Sequence, residues 1–433
     1  MSNRKMLLII TPPFWPKMPP MGIGYLQAFL AKNNIDCDIL DLNNIFYNLS
    51  SPELKKSWLV SCNTPLEENI FDLLQKNHPE EFKKLLGQIL QYGTVGLSFF
   101  KSNINSTLKL ARLLRSRNKN IKIIFGGPEI ARQFFKTSGR FTKGIKSLAD
   151  FIVAGEGEKS LLSYIKKPPL KNKTALFSEL GNLDKLPFPV YKGLDMNSYP
   201  RKNSLSILFS RGCIRKCDFC SERLLYKKFR LRPVESVIEE IKHHKSRNKI
   251  EYFIFHDSLI NGNLKKLEEL CDKIIENFGS IKWEAQIAIR NDMSQVLLEK
   301  IKKSGCYNLF IGLESGCDRT LKKMNKGFTI KDALSFFKKL NGAGIFFGVS
   351  IIIGYPSETE SDFMESLNFI IKNKSTIPKI EQINPFVYYD GINAKKVGNK
   401  DSLKRLNIFI KTIKSHGFKY TNAFIGNLIE KTS

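Results

Sequence analysis

The sequence predicts an α/β protein in two parts, an N-terminal doubly wound parallel sheet followed by a partial (βα)6 barrel. Three observations predict it. Short apolar runs alternate with helical stretches through residues 1–165. A proline-rich, polar stretch breaks that rhythm at 166–200, and a second series of strand and helix patterns begins at Ser204.

In the first part the candidate strands are 5–10, 37–41, 94–99, 121–125 and 151–154. Between them, 21–32, 107–117 and 159–166 carry apolar residues at helical spacing. The stretch 43–92 is helical in pattern and interrupts the strand–helix alternation, so it reads as an insertion. These elements make one domain, 1–168. Lys-Lys-Pro-Pro and the Pro187-Phe188-Pro189 step suit an extended linker over 169–203. The second part has candidate strands at 205–210, 251–256, 282–287, 308–313, 347–353 and 380–388. Val234, Val237, Ile238 and Ile241 form the i, i+3, i+4, i+7 stripe of a helix packed outside a barrel. Six such units place a barrel at 204–390, with reactive groups expected at the C-terminal ends of its strands. A small helical extension is expected at 391–433.

The chain has 433 residues and 42% hydrophobic content, enough for two cores. Its longest apolar runs, such as 6–10 and 349–353, are about a quarter of the roughly 20 residues that span a bilayer. No transmembrane helix and no secretory signal are expected. Lys plus Arg number 69 against 41 Asp plus Glu, a formal charge of +28. Because the lysines are spread along nearly every predicted helix, the charge reads as solvated faces, and nucleic acid is not expected as a partner. Of eight cysteines, three crowd into 213–220. That clustering points to metal binding in a reducing cytoplasm, not to a disulfide scaffold.

The segment Ser210-Arg-Gly-Cys213-Ile-Arg-Lys-Cys217-Asp-Phe219-Cys220 follows the first barrel strand directly, so its three thiolates belong to one loop at the barrel mouth. Soft thiolates select zinc or iron–sulfur clusters. A structural zinc loop remains an alternative, but it wants four ligands, and Cys271, His243 and His244 fall on predicted outer helices. Three cysteines leave one iron of a four-iron cluster without a protein ligand, and that iron is open to reaction.

This C-x3-C-x2-C pattern, with an aromatic residue before the third cysteine and at the first strand of a βα barrel, resembles the signature of the radical S-adenosylmethionine (SAM) superfamily. The resemblance implies a [4Fe-4S] cluster on Cys213, Cys217 and Cys220 whose open iron chelates SAM and cleaves it to methionine and a 5′-deoxyadenosyl radical. It further implies that Glu314, Ser315 and Gly316 contact the SAM ribose and carboxylate, and that Arg290 pairs with the methionine carboxylate. Ile352 and Gly354, with Phe219, would pack on adenine. The second strand ends in His256-Asp257-Ser258, where many members carry Gly-Gly-Glu. Asp257 keeps one carboxylate for the methionine ammonium, and His256 is the candidate proton donor toward substrate.

At the N-terminus, Thr11-Pro12-Pro13, Pro19 to Leu26, Phe125-Gly126-Gly127-Pro128 and Ala154-Gly155-Glu156-Gly157-Glu158 resemble the Rossmann-like module of the cobalamin-binding branch. With both halves the resemblance covers roughly 5–390. It implies a corrin beside Gly126, Gly127, Glu156 and Gly157. The histidine that ligates cobalt in many such domains is absent, since no histidine precedes His78 and Glu129 stands where this branch often has one. Cobalamin is therefore expected without a protein histidine. Taken together, the resemblance implies a cobalamin-dependent methyltransferase acting on an unactivated carbon or phosphinate-like centre of a small-molecule or peptide substrate, with an electron donor such as flavodoxin or ferredoxin. The alternatives are a non-methylating radical SAM enzyme performing cyclisation, rearrangement or oxidation, and an RNA-modifying enzyme.

Overall fold

Residue by residue, β1 (Met6–Ile10) is buried throughout, because its two faces serve two different cores. Leu7 and Ile9 join one apolar cluster, whereas Met6, Leu8 and Ile10 join another. Period-2 alternation with apolar residues on both sides is the mark of a parallel strand covered by helices above and below. The computed structural model describes residues 5–58, 65–137, 141, 143–168, 176–389, 392–395 and 400–420, and the chain divides into two compact units, Met1–Lys202 and Asn203–Ser433.

In the first unit, β1, β2 (Cys37–Asp41), β3 (Thr94–Ser98), β4 (Lys122–Gly126), β5 (Phe151–Gly155) and β6 (Leu176–Ser178) form one parallel sheet in the order β2-β1-β3-β4-β5-β6. The order reverses between β1 and β3, so their C-terminal ends open a crevice at a topological switch point. Helices α1 (Met21–Lys32) and α9 (Gly157–Lys166) supply Ile23, Leu30, Leu161 and Tyr164 to one face. The other face takes α2 (Leu42–Leu49), α3 (Pro52–Trp58), α4 (Pro65–Asn77), α5 (Pro79–Ile89) and α6 (Ile104–Arg117), with α7 (Pro128–Lys136) and α8 (Lys143–Leu148).

The 43–92 stretch lies between β2 and β3 as the helices α2 to α5, and it packs against the sheet. Phe46, Trp58, Phe71, Phe82 and Leu85 pack in the same cluster as Leu7, Ile9, Val95 and Leu97, so α2 to α5 form part of this unit's core. The described part of the 169–203 linker is not a free connector. Residues 176–178 add a strand to the sheet, and Leu180, Leu183, Leu186 and Tyr199 are buried. Gln27 accepts from the Lys192 amide at 2.9 Å and donates to the Lys192 carbonyl at 3.0 Å, and Tyr199 Oη donates to Asp41 Oδ2 at 2.8 Å. Proline removes internal hydrogen bonding from a segment, but it leaves the remaining amides and side chains free to pair with a neighbour.

In the second unit, β7 (Ser204–Ile207), β10 (Tyr252–Phe255), β11 (Lys282–Ile287), β12 (Cys306–Glu314), β13 (Phe347–Ile353) and β14 (Ile380–Pro385) are parallel, in chain order from β7 to β14. The sheet is an open, partial barrel. Its crossovers are α11 (Val234–Asn248), α12 (Leu264–Phe278), α13 (Gln295–Lys303), α15 (Ile330–Gly342) and α16 (Glu360–Lys372). Val234, Val237, Ile238 and Ile241 are the buried stripe of α11. The first strand stops at Ile207, three residues short of the expectation. Ser210–Arg211 (β8) instead pairs antiparallel with Arg230–Leu231 (β9), so that the cysteine loop and the short α10 (Glu222–Leu225) are bracketed by a two-stranded clasp. Beyond β12, α14 (Asp318–Lys323) precedes α15, and α17 (Lys400–Ser415) follows β14. Residues 421–433 of the expected extension lie outside the described residues. No described helix is long and apolar enough to cross a membrane.

Candidate active site

The loop carrying the three cysteines leaves β8 through Gly212, whose φ of +87° is a left-handed conformation that suits glycine. A Cβ there would lie 2.5 Å from the Lys228 carbonyl, inside the clasp. From this point the loop is tied down at several places. The Arg215 guanidinium donates to the Ile289 carbonyl at 2.7 Å and to the carbonyls of Lys326 and Gly327, each at 3.3 Å. The Asp218 amide donates to the Met324 carbonyl at 3.0 Å, while the Asp218 carbonyl accepts from the amides of Asn393 and Ala394, each at 3.0 Å. The Arg215 amide donates to Cys213 Sγ at 3.3 Å. Such sulfur-directed amides stabilise negative charge on a thiolate.

Burial pushes all three thiols above their ordinary range, Cys220 to about 12. A metal reverses that preference by displacing the protons. Three thiols on one loop leave a single structural zinc ion one ligand short, whereas they leave one iron of a four-iron cluster open.

Around this loop stand the ends of β12 and β13. Glu314 ends β12 at a register shift, with a φ of +70°, and this unusual backbone carries a buried carboxylate. Ser350 Oγ donates to its Oε2 at 2.9 Å and Lys326 Nζ to its Oε1 at 3.5 Å. Lys326 Nζ also lies 5.6 Å from the ring centroids of both Phe219 and Phe328. Ile352 is half-buried between the fully buried Ile351 and Ile353. Tyr355 Oη donates to the Lys323 carbonyl at 3.0 Å.

Other expected site residues have different work. Asp257 is buried and both carboxylate oxygens are engaged: Oδ2 accepts from the Phe209 amide at 3.2 Å, and Oδ1 accepts from the Ser210 amide and hydroxyl. Burial raises its pKa to about 7 despite those bonds. In this structure its carboxylate is spent on the exit of β7. The buried Arg232 assists, donating to the Leu208 carbonyl at 2.8 Å and pairing with Glu240 at 2.5 Å. Arg290 is held in a two-point pair with Asp292, at 2.9 and 2.5 Å, and donates to the Asn261 carbonyl at 2.9 Å. Its fork is thus already filled. Ser315 Oγ meets Ser366 Oγ at 2.8 Å, and a Cβ on Gly316 would come 2.8 Å from Phe369, so both serve the packing of α16. Gly354, at φ +78°, makes room for Ser402 of α17. His256 is exposed at the end of β10.

Sequence reasoning missed Lys326, Ser350 and Arg232. Lys326 is one of 69 basic residues, and nothing in its local pattern marks it as buried.

In the first unit the expected cofactor residues mostly satisfy the chain itself. Gly127 has a φ of +100°, and a Cβ there would lie 2.6 Å from the Phe99 carbonyl. Glu156 accepts from the Leu180 amide, and a Cβ on Gly157 would come 2.9 Å from Leu26. Gly126 alone has only ordinary contacts, the nearest at 3.8 Å. The segment after β1 is apolar, with the Phe14 and Phe100 rings 4.1 Å apart and Trp15 exposed. Asn43 Oδ1 fixes it, accepting from the Phe14 amide and the Trp58 indole, each at 2.7 Å, while the buried Asn43 Nδ2 has no partner. His78, the sole histidine of this unit, precedes α5 and packs 6.3 Å from Phe46.

Residues 207–370 match the family model of the Radical SAM superfamily. An uncharacterized methyltransferase of Pyrococcus horikoshii is 24% identical over 82% of this chain and 73% of its own length. Two solved structures share the fold across both units. The cobalamin-dependent SAM radical enzyme OxsB, with aqua-cobalamin bound, matches at a TM-score of 0.64 and 18% identity, over 95% of this chain and 56% of OxsB. The radical SAM methyltransferase TsrM from Kitasatospora setae, with cobalamin and a [4Fe-4S] cluster bound, matches at 0.67 and 14%, over 90% of this chain and 73% of TsrM. The fold is that of the cobalamin-dependent branch, although this chain spans little more than half the length of OxsB.

Proposed function

We propose that this chain is a cobalamin-dependent radical SAM methyltransferase acting on an unactivated carbon or phosphinate-like centre of a small-molecule or peptide substrate. The observation that carries the reading is one chain that joins a three-thiol barrel loop to a doubly wound unit of the cobalamin-binding type. Three free thiols on one loop and the amide directed at Cys213 support a cluster in the second unit. Asn43 Nδ2, an orphaned buried donor near the β1 exit, and Gly126, where a Cβ would meet only ordinary contacts, support a ligand in the first.

When bound, the cluster supplies the electron that cleaves SAM, and cobalamin supplies a methyl carrier. Cys213, Cys217 and Cys220 each hold one iron. Glu314, fixed by Ser350, presents its carboxylate to the polar part of SAM, and Phe219 and Ile352 exclude water from its adenine face. Asp257 and Arg232 position the β7 exit on which the cysteine loop depends. Phe14 and Phe100 would give a bound corrin an apolar neighbour in the first unit. The electron donor is of the flavodoxin or ferredoxin type, in the cytoplasm.

Anaerobic reconstitution followed by mass spectrometry of the SAM products tests this reading. S-adenosylhomocysteine together with 5′-deoxyadenosine is the expected result. 5′-Deoxyadenosine alone would replace it with a non-methylating radical reaction.

A further inference from the structure

Lys326 is a lysine in an unusual position. Its side chain is only 10% exposed, and its ammonium lies between two aromatic faces. Its charged partner, Glu314, is 12% exposed at the side chain, at the long distance of 3.5 Å. The backbone of the same lysine anchors the cysteine loop, since its carbonyl accepts from Arg215 at 3.3 Å. Phe219, the residue next to Cys220, touches its ammonium through its ring. A cation and an anion therefore sit, poorly screened, against the loop that holds the metal group.

We propose that Lys326 and Glu314 form a buried charge pair that sets the reduction potential of the cluster, Lys326 easing reduction and Glu314 opposing it. Reduction adds one electron to a group already made negative by three thiolates. At low effective dielectric, a fixed positive charge beside it stabilises the reduced form and a fixed negative charge destabilises it. Arg215, whose guanidinium donates to three carbonyls at the loop edge, adds a second positive charge that is the same in every variant compared below. The inference rests on the proposed cluster.

The test is a redox titration of the reconstituted holoprotein without SAM, with dithionite as the electron source and EPR as the readout, alongside iron content. Lys326→Met is expected to move the potential to more negative values and Glu314→Gln to more positive ones. Lys326→Arg should stay near the wild type, and the double variant Lys326→Met/Glu314→Gln should return toward it. Glu314→Gln keeps the test open should Lys326→Met assemble poorly. Normal iron with unmoved potentials, or with both single variants moving the same way, overturns this inference alone. A wild-type chain that never assembles a cluster overturns the functional reading along with it.

Discussion

The two units obey one plan, parallel strands with chemistry reserved for their C-terminal ends, yet those ends are built differently. In the second unit the β7 exit is held from behind by Asp257 and Arg232, and the loop beyond it offers three thiols, one of which receives an amide. In the first unit the strand ends are spent on the chain itself: Gly127 gives way to Phe99, Glu156 caps Leu180 and Gly157 gives way to Leu26. A glycine or acid at a strand end is thus ambiguous by itself. A cysteine cluster is much less so, because few packing needs call for three thiols in eight residues.

The largest expected effect follows from that contrast. Cys217→Ala should lose most of its iron and all reductive SAM cleavage, because each thiolate holds a separate iron. Cys37→Ala, in the first unit, should keep both. Iron analysis and product quantitation decide the matter, and a Cys217→Ala chain with full cluster content and cleavage would refute the central claim.

The same contrast explains how far the sequence could be read. Apolar runs marked all six barrel strands, because parallel strands covered on both faces cannot hide their periodicity. They failed to mark β6, three residues long, and gave no sign that α2 to α5 join the core. The cysteine ligands were legible from spacing. Asp257 and Arg290 were legible only as charges near strand ends. Their true partners, the Phe209 and Ser210 amides and Asp292, depend on side-chain direction, which spacing does not encode. Lys326 was invisible because its burial is created by Phe219, more than a hundred residues away in sequence.

The next effect separates packing from binding within the first unit. Gly126→Phe should fold normally but lose cobalamin, since a Cβ there meets nothing closer than 3.8 Å. Gly127→Phe should instead lower the melting temperature by several degrees, because strain at such a backbone position costs on the order of 1–3 kcal/mol. Thermal unfolding together with corrin absorption distinguishes them, and equal melting temperatures would contradict the packing role. In the second unit, Glu314→Ala should weaken SAM binding roughly ten- to a hundredfold, for loss of a charge-assisted bond of about 1.5–3 kcal/mol. Arg290→Ala should change it by less than about threefold, because its guanidinium is already taken by Asp292. A larger loss from Arg290→Ala than from Glu314→Ala would reverse the assignment.

The smallest effect contrasts two buried acids, one per unit. Burial raises Asp41 to about 6 and Asp257 to about 7, from an ordinary value of 3.8. An acid whose folded pKa is raised binds its proton more tightly in the folded state. Its contribution to stability therefore falls as pH rises from the unfolded value through the folded one, and stays constant above. For Asp41 that window closes near pH 6, whereas for Asp257 it extends to about pH 7, where Glu358, also raised to about 7 by burial, titrates with it. Between pH 6 and 7 the loss should come from the second unit. Denaturant unfolding of the metal-free chain should show stability declining across that interval in the wild type and in Asp41→Asn. Asp257→Asn should roughly halve the decline, leaving the share due to Glu358. Asp41→Asn should instead make the decline between about pH 4 and 6 shallower by the share of its own carboxyl, while the shares of Asp257 and Glu358 remain. A decline between pH 6 and 7 that vanishes in Asp41→Asn and persists unchanged in Asp257→Asn would assign the charges to the wrong units.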